Sequence, residues 1–142
     1  MVLSEIIQEL DRQLAGRGSY AVGVFTRQRA ESGEGWGETE SFSVLDVTLD
    51  EHDSHVDILT DEGAEDSTLP GSAMTSDGLL QRLRLLAPRC GGWSVYAGSV
   101  ARPVGRGWGV RIDTPIVGLG TNHEERAVAL LQFPPEQWSD AV

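Results

Sequence analysis

Apolar residues recur at helical spacing near the start of the chain and again in its second half. Spacings of three and four residues place such side chains on one face of a helix. We therefore predict two amphipathic helices, one opening each half of the chain. The first series is Leu3, Ile6, Ile7, Leu10 and Leu14, and the second is Leu79, Leu80, Leu83 and Leu86.

Behind each predicted helix the pattern changes to short strands. Polar turns at 50–54 and 122–125 separate the last two strands of each half, as in hairpins. The layout is a helix followed by three strands, twice over. The predicted strands cover 20–26, 42–49 and 55–60 in the first half, and 93–100, 115–121 and 126–133 in the second.

The two halves also resemble each other in sequence. A shift of 72 residues places Gly-Glu-Gly-Trp-Gly at 33–37 on Gly-Arg-Gly-Trp-Gly at 105–109. It gives 10 identities over the 56 positions that align 5–60 with 77–132, while the helices match better at a shift of 73. Self-similarity at half the chain length indicates a tandem duplication.

The expected fold is α+β, with an antiparallel sheet, two helices on one face and approximate twofold symmetry. We expect a first αβββ repeat at 1–60, an acidic linker at 61–75, a second repeat at 76–133 and a tail at 134–142. A unit of about 60 residues buries little of its surface alone. The two repeats are therefore expected to share one core in a single domain.

Charge is distributed very unevenly between the halves. The chain has 22 acidic residues and 11 basic ones, all arginine, for a net charge of −11. Residues 1–71 hold 16 acids and 4 arginines (4 − 16 = −12), while residues 72–142 hold 6 acids and 7 arginines (7 − 6 = +1). This acidity argues against direct binding to nucleic acid phosphates or anionic lipid.

Strand alternation predicts where the acids lie. If Leu45, Val47 and Leu49 face the core, the opposite side of the hairpin is acidic. The corresponding outer face of the second half is small and apolar, near Ile116, Ala127 and Ala129. That face is expected either to be covered by Phe133, Pro134, Pro135 and Trp138 or to pair with a second copy. The predicted partner-binding acids are Asp46, Asp50, Asp53, Asp57, Asp61 and Glu62.

An acidic face attracts cationic partners and speeds their association. We therefore expect a non-enzymatic protein that binds a basic protein surface, as an inhibitor, immunity protein or adaptor does. In the strongest form of this hypothesis the carboxylates mimic a nucleic acid backbone. A competing hypothesis is a structural protein whose acidity serves only solubility.

A small-ligand site is a further hypothesis, with two candidate locations. Imidazole with carboxylate suits nickel, copper or zinc, so His52, His55 and Asp57 are the candidate ligands of a weak metal site. Trp36 and Trp108, in the glycine loops, are candidates for stacking on sugar rings. No catalytic constellation and no cofactor motif is recognisable.

The expected location is the cytoplasm. The chain has no run of about 18 apolar residues, and its first residues are acidic where a signal peptide is basic and apolar. The single cysteine, Cys90, excludes a disulfide within the chain.

Overall fold

The computed structural model describes residues 1–29, 36–60, 73–101 and 110–133. Their architecture is α+β, with two helices and a seven-stranded mixed sheet. The elements are α1 (Leu3–Leu14), β1 (Ala21–Arg29), β2 (Trp36–Asp50), β3 (His55–Thr60), α2 (Ser76–Cys90), β4 (Ser94–Ala101), β5 (Val110–Pro115), β6 (Gly118–Asn122) and β7 (Ala127–Leu131).

Both predicted helices are confirmed, and each buries the face that its apolar spacing indicates. In α1 the buried residues are Leu3, Ile6, Leu10 and Leu14. In α2 they include Leu79 and Leu83, and the helix continues past Pro88 to the buried Cys90. Within the described ranges, neither helix has the length and apolarity needed to cross a membrane.

The expectation of a purely antiparallel sheet is wrong. The strand order is β5-β4-β3-β2-β1-β7-β6, and two neighbouring pairs are parallel, β3 with β4 and β1 with β7. Parallel neighbours need a long crossover between them, usually a helix. Helix α2 lies between β3 and β4 in the chain, so the second helix connects the two halves of the sheet as well as covering the core.

The sheet curls until its two ends meet. Strands β5 and β6 stand at opposite ends of the strand order, yet only Ile116 and Val117 join them. A link of this length spans at most about 11 Å. The Ile116 N–H donates to the Val95 carbonyl of β4 (2.9 Å), and the Val117 N–H donates to the Leu131 carbonyl of β7 (2.8 Å). This bend is why the second half has four strands where three were predicted.

One core cluster contains residues of both helices and of strands from both halves. In β2 the core residues are Val44 (0% exposed) and Val47 (1%), whereas Leu45 is half-buried. The prediction that Leu45 faces the core and Val44 faces outward is therefore wrong. The pairing of β2 with β3 shifts register between Val44 and Asp46, and such a bulge reverses the alternation of faces.

The predicted apolar outer face of the second half is largely covered. Ile116 is fully buried in the main core, so its assignment to that face is wrong. Ala129 and Leu131 form a second cluster with Phe133, against which Phe25 packs. The expected cover by Phe133 is thus present, Ala127 is half-buried, and the other proposed covering residues lie outside the described ranges.

Several contacts occur twice, once in each half. Leu3 N–H donates to the Trp93 carbonyl (2.9 Å), and Ser76 N–H donates to the Tyr20 carbonyl (2.8 Å). Val2 bridges Ser94, and Thr75 bridges Ala21, both antiparallel. In the hairpin turns, Asp50 and Asn122 each accept a backbone N–H three residues ahead, from Asp53 and Glu125. The residue before the next strand has positive φ in both turns, at Ser54 (54°) and Arg126 (52°).

Ser76 joins the start of α2 to the start of β1 through two hydrogen bonds. Besides its backbone contact, its Oγ accepts the Tyr20 N–H at 2.8 Å, in a buried position. We expect Ser76→Ala to lower the free energy of unfolding by about 1–3 kcal/mol, because a buried N–H loses its partner. Urea denaturation measures this change.

The neighbouring Thr75→Ala is the control for this prediction. Thr75 is exposed and its side chain makes no capping hydrogen bond. Its replacement should change stability by less than about 0.5 kcal/mol. Equal losses in the two variants would contradict the role given to the Ser76 hydroxyl.

Candidate functional site

The strands of the first hairpin and β4 form a polar outer surface, which we call the β2–β4 face. Pairing sets Thr48 opposite Asp57 and Asp50 opposite His55, and Asp57 lies beside Tyr96 of β4. The intervening residues Val56, Ile58 and Val95 are buried in the core. Because strand side chains alternate, the polar set points away from the helices. The face consists of Thr48, Asp50, His55, Asp57 and Tyr96.

An aromatic pair lies in the middle of this face. The rings of His55 and Tyr96 are stacked, with centroids 3.9 Å apart and planes at 20°. Both side chains are half-buried, so part of the pair stays in contact with solvent. Tyr96 was missed from the sequence because its place beside His55 depends on the parallel pairing of β3 with β4.

The turn at one end of the face is fixed by Asp50. Its Oδ1 accepts the backbone N–H groups of His52 and Asp53, each at 3.1 Å. An aspartate that binds its own backbone two or three residues ahead stabilises such turns. The exposed Asp53 carboxylate is therefore held close to the aromatic pair.

The predicted metal ligands are not the ones that the structure brings together. Among the described residues, the cluster of candidate ligands is Asp50, Asp53 and His55, with one ligand atom from each within 4.8 Å of the others. Neither His52, which is exposed in the turn, nor Asp57 belongs to it. Of the three predicted ligands, only His55 belongs to this cluster, and Asp50 and Asp53 of the turn complete it.

Asp46 contacts an arginine of the same chain. Its carboxylate lies 3.7 Å from Nε of Arg82 in α2, and it accepts the N–H of Val47 at 2.7 Å. From Asp46 to Asp50 the pairing of β2 with β3 is regular, so the predicted place of Asp46 on the same side of the strand as Asp50 stays a prediction. The charge of Asp46 is partly balanced by Arg82.

The arginines of α2 partly neutralise the acidic half. Besides the pair formed by Arg82 with Asp46, Arg84 pairs with Asp11 of α1 and Arg89 with Glu51 of the hairpin turn. These side chains are about half exposed or more, so each pair contributes little stability. Among the described residues, no arginine pairs with Asp50 or Asp53. These two carboxylates belong to the hairpin turn beside the β2–β4 face.

Several predicted residues fall outside this description. Asp61, Glu62 and Trp108 lie outside the described residues, and for Trp36 only the backbone, at the start of β2, is described. Their proposed roles stay predictions.

A second group of polar side chains joins the other hairpin turn to β1. Tyr20 Oη and His123 Nδ1 are 2.8 Å apart, and the Arg126 guanidinium lies 5.1 Å from the centre of the Tyr20 ring. Arg126 also donates to the Ser19 carbonyl at 3.2 Å. Tyr20 is only 3% exposed, so this group serves to anchor the turn rather than to meet a ligand.

The β2–β4 face has the chemistry to receive a cation. Carboxylates accept charge-assisted hydrogen bonds from guanidinium or ammonium groups, and an aromatic ring attracts a cation placed over its face. Asp50, Asp53 and the ring pair offer both kinds of contact within one hairpin turn and the strands beside it.

Comparison with protein-family models, with curated proteins and with solved structures finds no match for this chain.

Proposed function

We propose that this protein works by binding a basic surface of another protein through its β2–β4 face. The observation that carries the proposal is the grouping of Asp50, Asp53 and the His55–Tyr96 ring pair at and beside the β2–β3 hairpin turn. The α2 arginines pair with other acids, so the charge of Asp50 and Asp53 is available to a partner.

Arginine is the side chain that fits this arrangement best. Its planar guanidinium stacks on an aromatic ring while its N–H groups bind a carboxylate in a fork. A lysine could use the carboxylates but would not stack in the same way. An arginine-rich nuclease, toxin or nucleic-acid-binding protein is thus the proposed kind of target, and inhibitor or adaptor the proposed role.

A pull-down from host lysate, at low and at moderate salt, tests the proposal. Exposed ion pairs weaken as salt screens them, whereas a stacked and hydrogen-bonded arginine is screened less. We expect one arginine-rich protein to be retained at both salts, and mass spectrometry identifies it. Retention of many basic proteins at low salt only would contradict a specific binding role.

Weak metal binding is a second candidate at the same turn. Two carboxylates and one imidazole are a ligand set that zinc, nickel and manganese accept. The cluster of Asp50, Asp53 and His55 supports this candidate. Calorimetric titration with each ion distinguishes the two candidates, because a metal site takes up the ion when no protein partner is present.

We also infer that the chain arose by tandem duplication and is approximately twofold symmetric. The paired contacts at the helix starts support a shift of 73 for the helices and first strands, since Leu3 and Ser76 bind carbonyls of Trp93 and Tyr20. The two hairpin turns support a shift of 72, with Asp50 aligned to Asn122. The cytoplasm stays the expected location.

A further inference from the structure

The outward surfaces of the two helices carry different residues at aligned positions. At a shift of 73, Glu5 and Arg12 of α1 correspond to Gly78 and Leu85 of α2, and Gln8 corresponds to Gln81. Each helix lines a groove beside a strand. The α1 groove has a volume of about 500 Å³ and the α2 groove about 410 Å³.

On α1 the polar side chains that face outward bind one another. Arg12 donates to both carboxylate oxygens of Glu9, at 3.2 and 2.7 Å, and Gln13 donates to Glu9 as well. The hydrogen bond from Arg12, and to a smaller extent that from Gln13, lowers the pKa of the Glu9 carboxyl below its ordinary value. Such a surface is stable in water.

On α2 the corresponding surface is mixed, with one large apolar side chain exposed among polar ones. Leu85 is 70% exposed, the largest exposed fraction of any large apolar side chain in the described residues. It stands between two depressions, the α2 groove next to Gly78 and a second one of about 400 Å³ next to Asp77 and Arg84. Gly78 carries no side chain, and a Cβ there would be in ordinary van der Waals contact with Met74, at 3.7 Å.

We propose that this surface of α2 binds the same surface of a second copy, with the two helices antiparallel. A single exposed leucine is common on monomers, so the inference depends on how well the surface complements itself. Leu85 of each copy would enter the depression over Gly78 of the other. Asp77 of each copy would meet Arg84 of the other, an acid facing a base that also pairs with Asp11 of its own chain.

The two sets of contacts require the same crossing point. In an antiparallel pair, the two helices cross midway between the residues that face each other. The pair Leu85 and Gly78 places this midpoint at sequence position 81.5 ((85 + 78)/2). The pair Asp77 and Arg84 places it at position 80.5 ((77 + 84)/2). The difference of one residue is about 1.5 Å along a helix. Apolar and charged contacts therefore agree on an antiparallel arrangement with Gln81 at its centre.

The charge distribution also favours this surface over others. Residues 72–142 carry a net charge of +1 and residues 1–71 a net charge of −12. Contact through α2 therefore brings together the nearly neutral halves of two copies, between which electrostatic repulsion is small. The interface is small, because one pair of 15-residue helices buries less than the roughly 1,200 Å² of a standard interface. A weak dimer, with a dissociation constant in the micromolar range or above, is the expected result.

Sedimentation velocity of the whole protein over a wide concentration range measures this equilibrium. Leu85→Arg introduces the residue that α1 has at the aligned position, and we expect it to raise the dissociation constant at least tenfold. Arg12→Ala, on the α1 surface, is the matched control and should leave the constant unchanged. A protein that stays monomeric at millimolar concentration, or a dimer insensitive to Leu85→Arg, would overturn the proposal.

Cross-linking gives a second measurement that does not depend on the stability of the Leu85 variant. Two copies of Gln81→Cys should form a disulfide under mild oxidation, since position 81 lies at the proposed centre. Gln8→Cys, at the aligned position of α1, should not. The native Cys90 is fully buried and does not compete. Equal cross-linking at positions 8 and 81 would contradict the α2 interface.

Discussion

Leu83→Ala should lower the free energy of unfolding by about 2–5 kcal/mol, as truncation of a fully buried leucine does. Leu83 is fully buried on α2, where residues of both halves meet in one cluster. Removing its isobutyl group forfeits apolar burial and leaves a cavity that a close-packed interior does not fill. Domains of this size are stabilised by only about 5–15 kcal/mol in total. Chemical denaturation monitored by circular dichroism measures the change.

The matched control is Leu85→Ala on the same helix. Leu85 differs from Leu83 mainly in its exposure, 70% against 0%. At concentrations where the protein is monomeric, its truncation should change stability by less than about 0.5 kcal/mol. If Leu83→Ala cost no more than the control, the assignment of the α2 face that packs against the sheet would be wrong.

The largest expected effect on binding is that of removing two charges from the hairpin turn. The double variant Asp50→Asn, Asp53→Asn should bind its basic partner roughly 30- to 150-fold more weakly, because each carboxylate contributes about 1–1.5 kcal/mol, between the values for exposed and buried ion pairs. Asparagine at position 50 keeps the turn, because the aligned Asn122 accepts the corresponding backbone N–H. Surface plasmon resonance with the captured partner measures the affinity.

The second hairpin turn supplies a control with the same change in net charge. Glu124 and Glu125 are both exposed, and Glu125 aligns with Asp53. Glu124→Gln, Glu125→Gln should alter the affinity by less than about threefold, as expected for charges outside an interface. Equal weakening by both double variants would mean that the partner responds to overall charge, and the β2–β4 face would lose its role.

The helices and the hairpins could be predicted because their signals are local. The spacing of Leu3, Ile6, Leu10 and Leu14 specifies a buried helical face without reference to the rest of the chain. The polar turn at 50–54 likewise marks the end of a strand. Such patterns reflect the periodicity of the backbone itself.

The parts that could not be predicted depend on contacts between distant segments. The residues around Leu45 do not predict the bulge that turns Val44 inward. The contact of Asp46 with Arg82 likewise depends on a helix that lies far along the chain. The parallel pairing of β3 with β4 places Tyr96 on His55, across 41 residues (96 − 55) of chain. The arginines of α2 could be seen in the sequence, but their acidic partners could not.

The pairing of β1 with β7 has a consequence for how the protein is made. Ala21 pairs with Ala127, so the first strand of the sheet has a neighbour that is synthesised 106 residues later (127 − 21). Contacts between residues so far apart in sequence slow folding, because a long loop must close before they form. A nascent chain leaves one edge of β1 unpaired until residues 127–131 have been synthesised. Completion of the sheet therefore waits for the strand that is made last among the described ones.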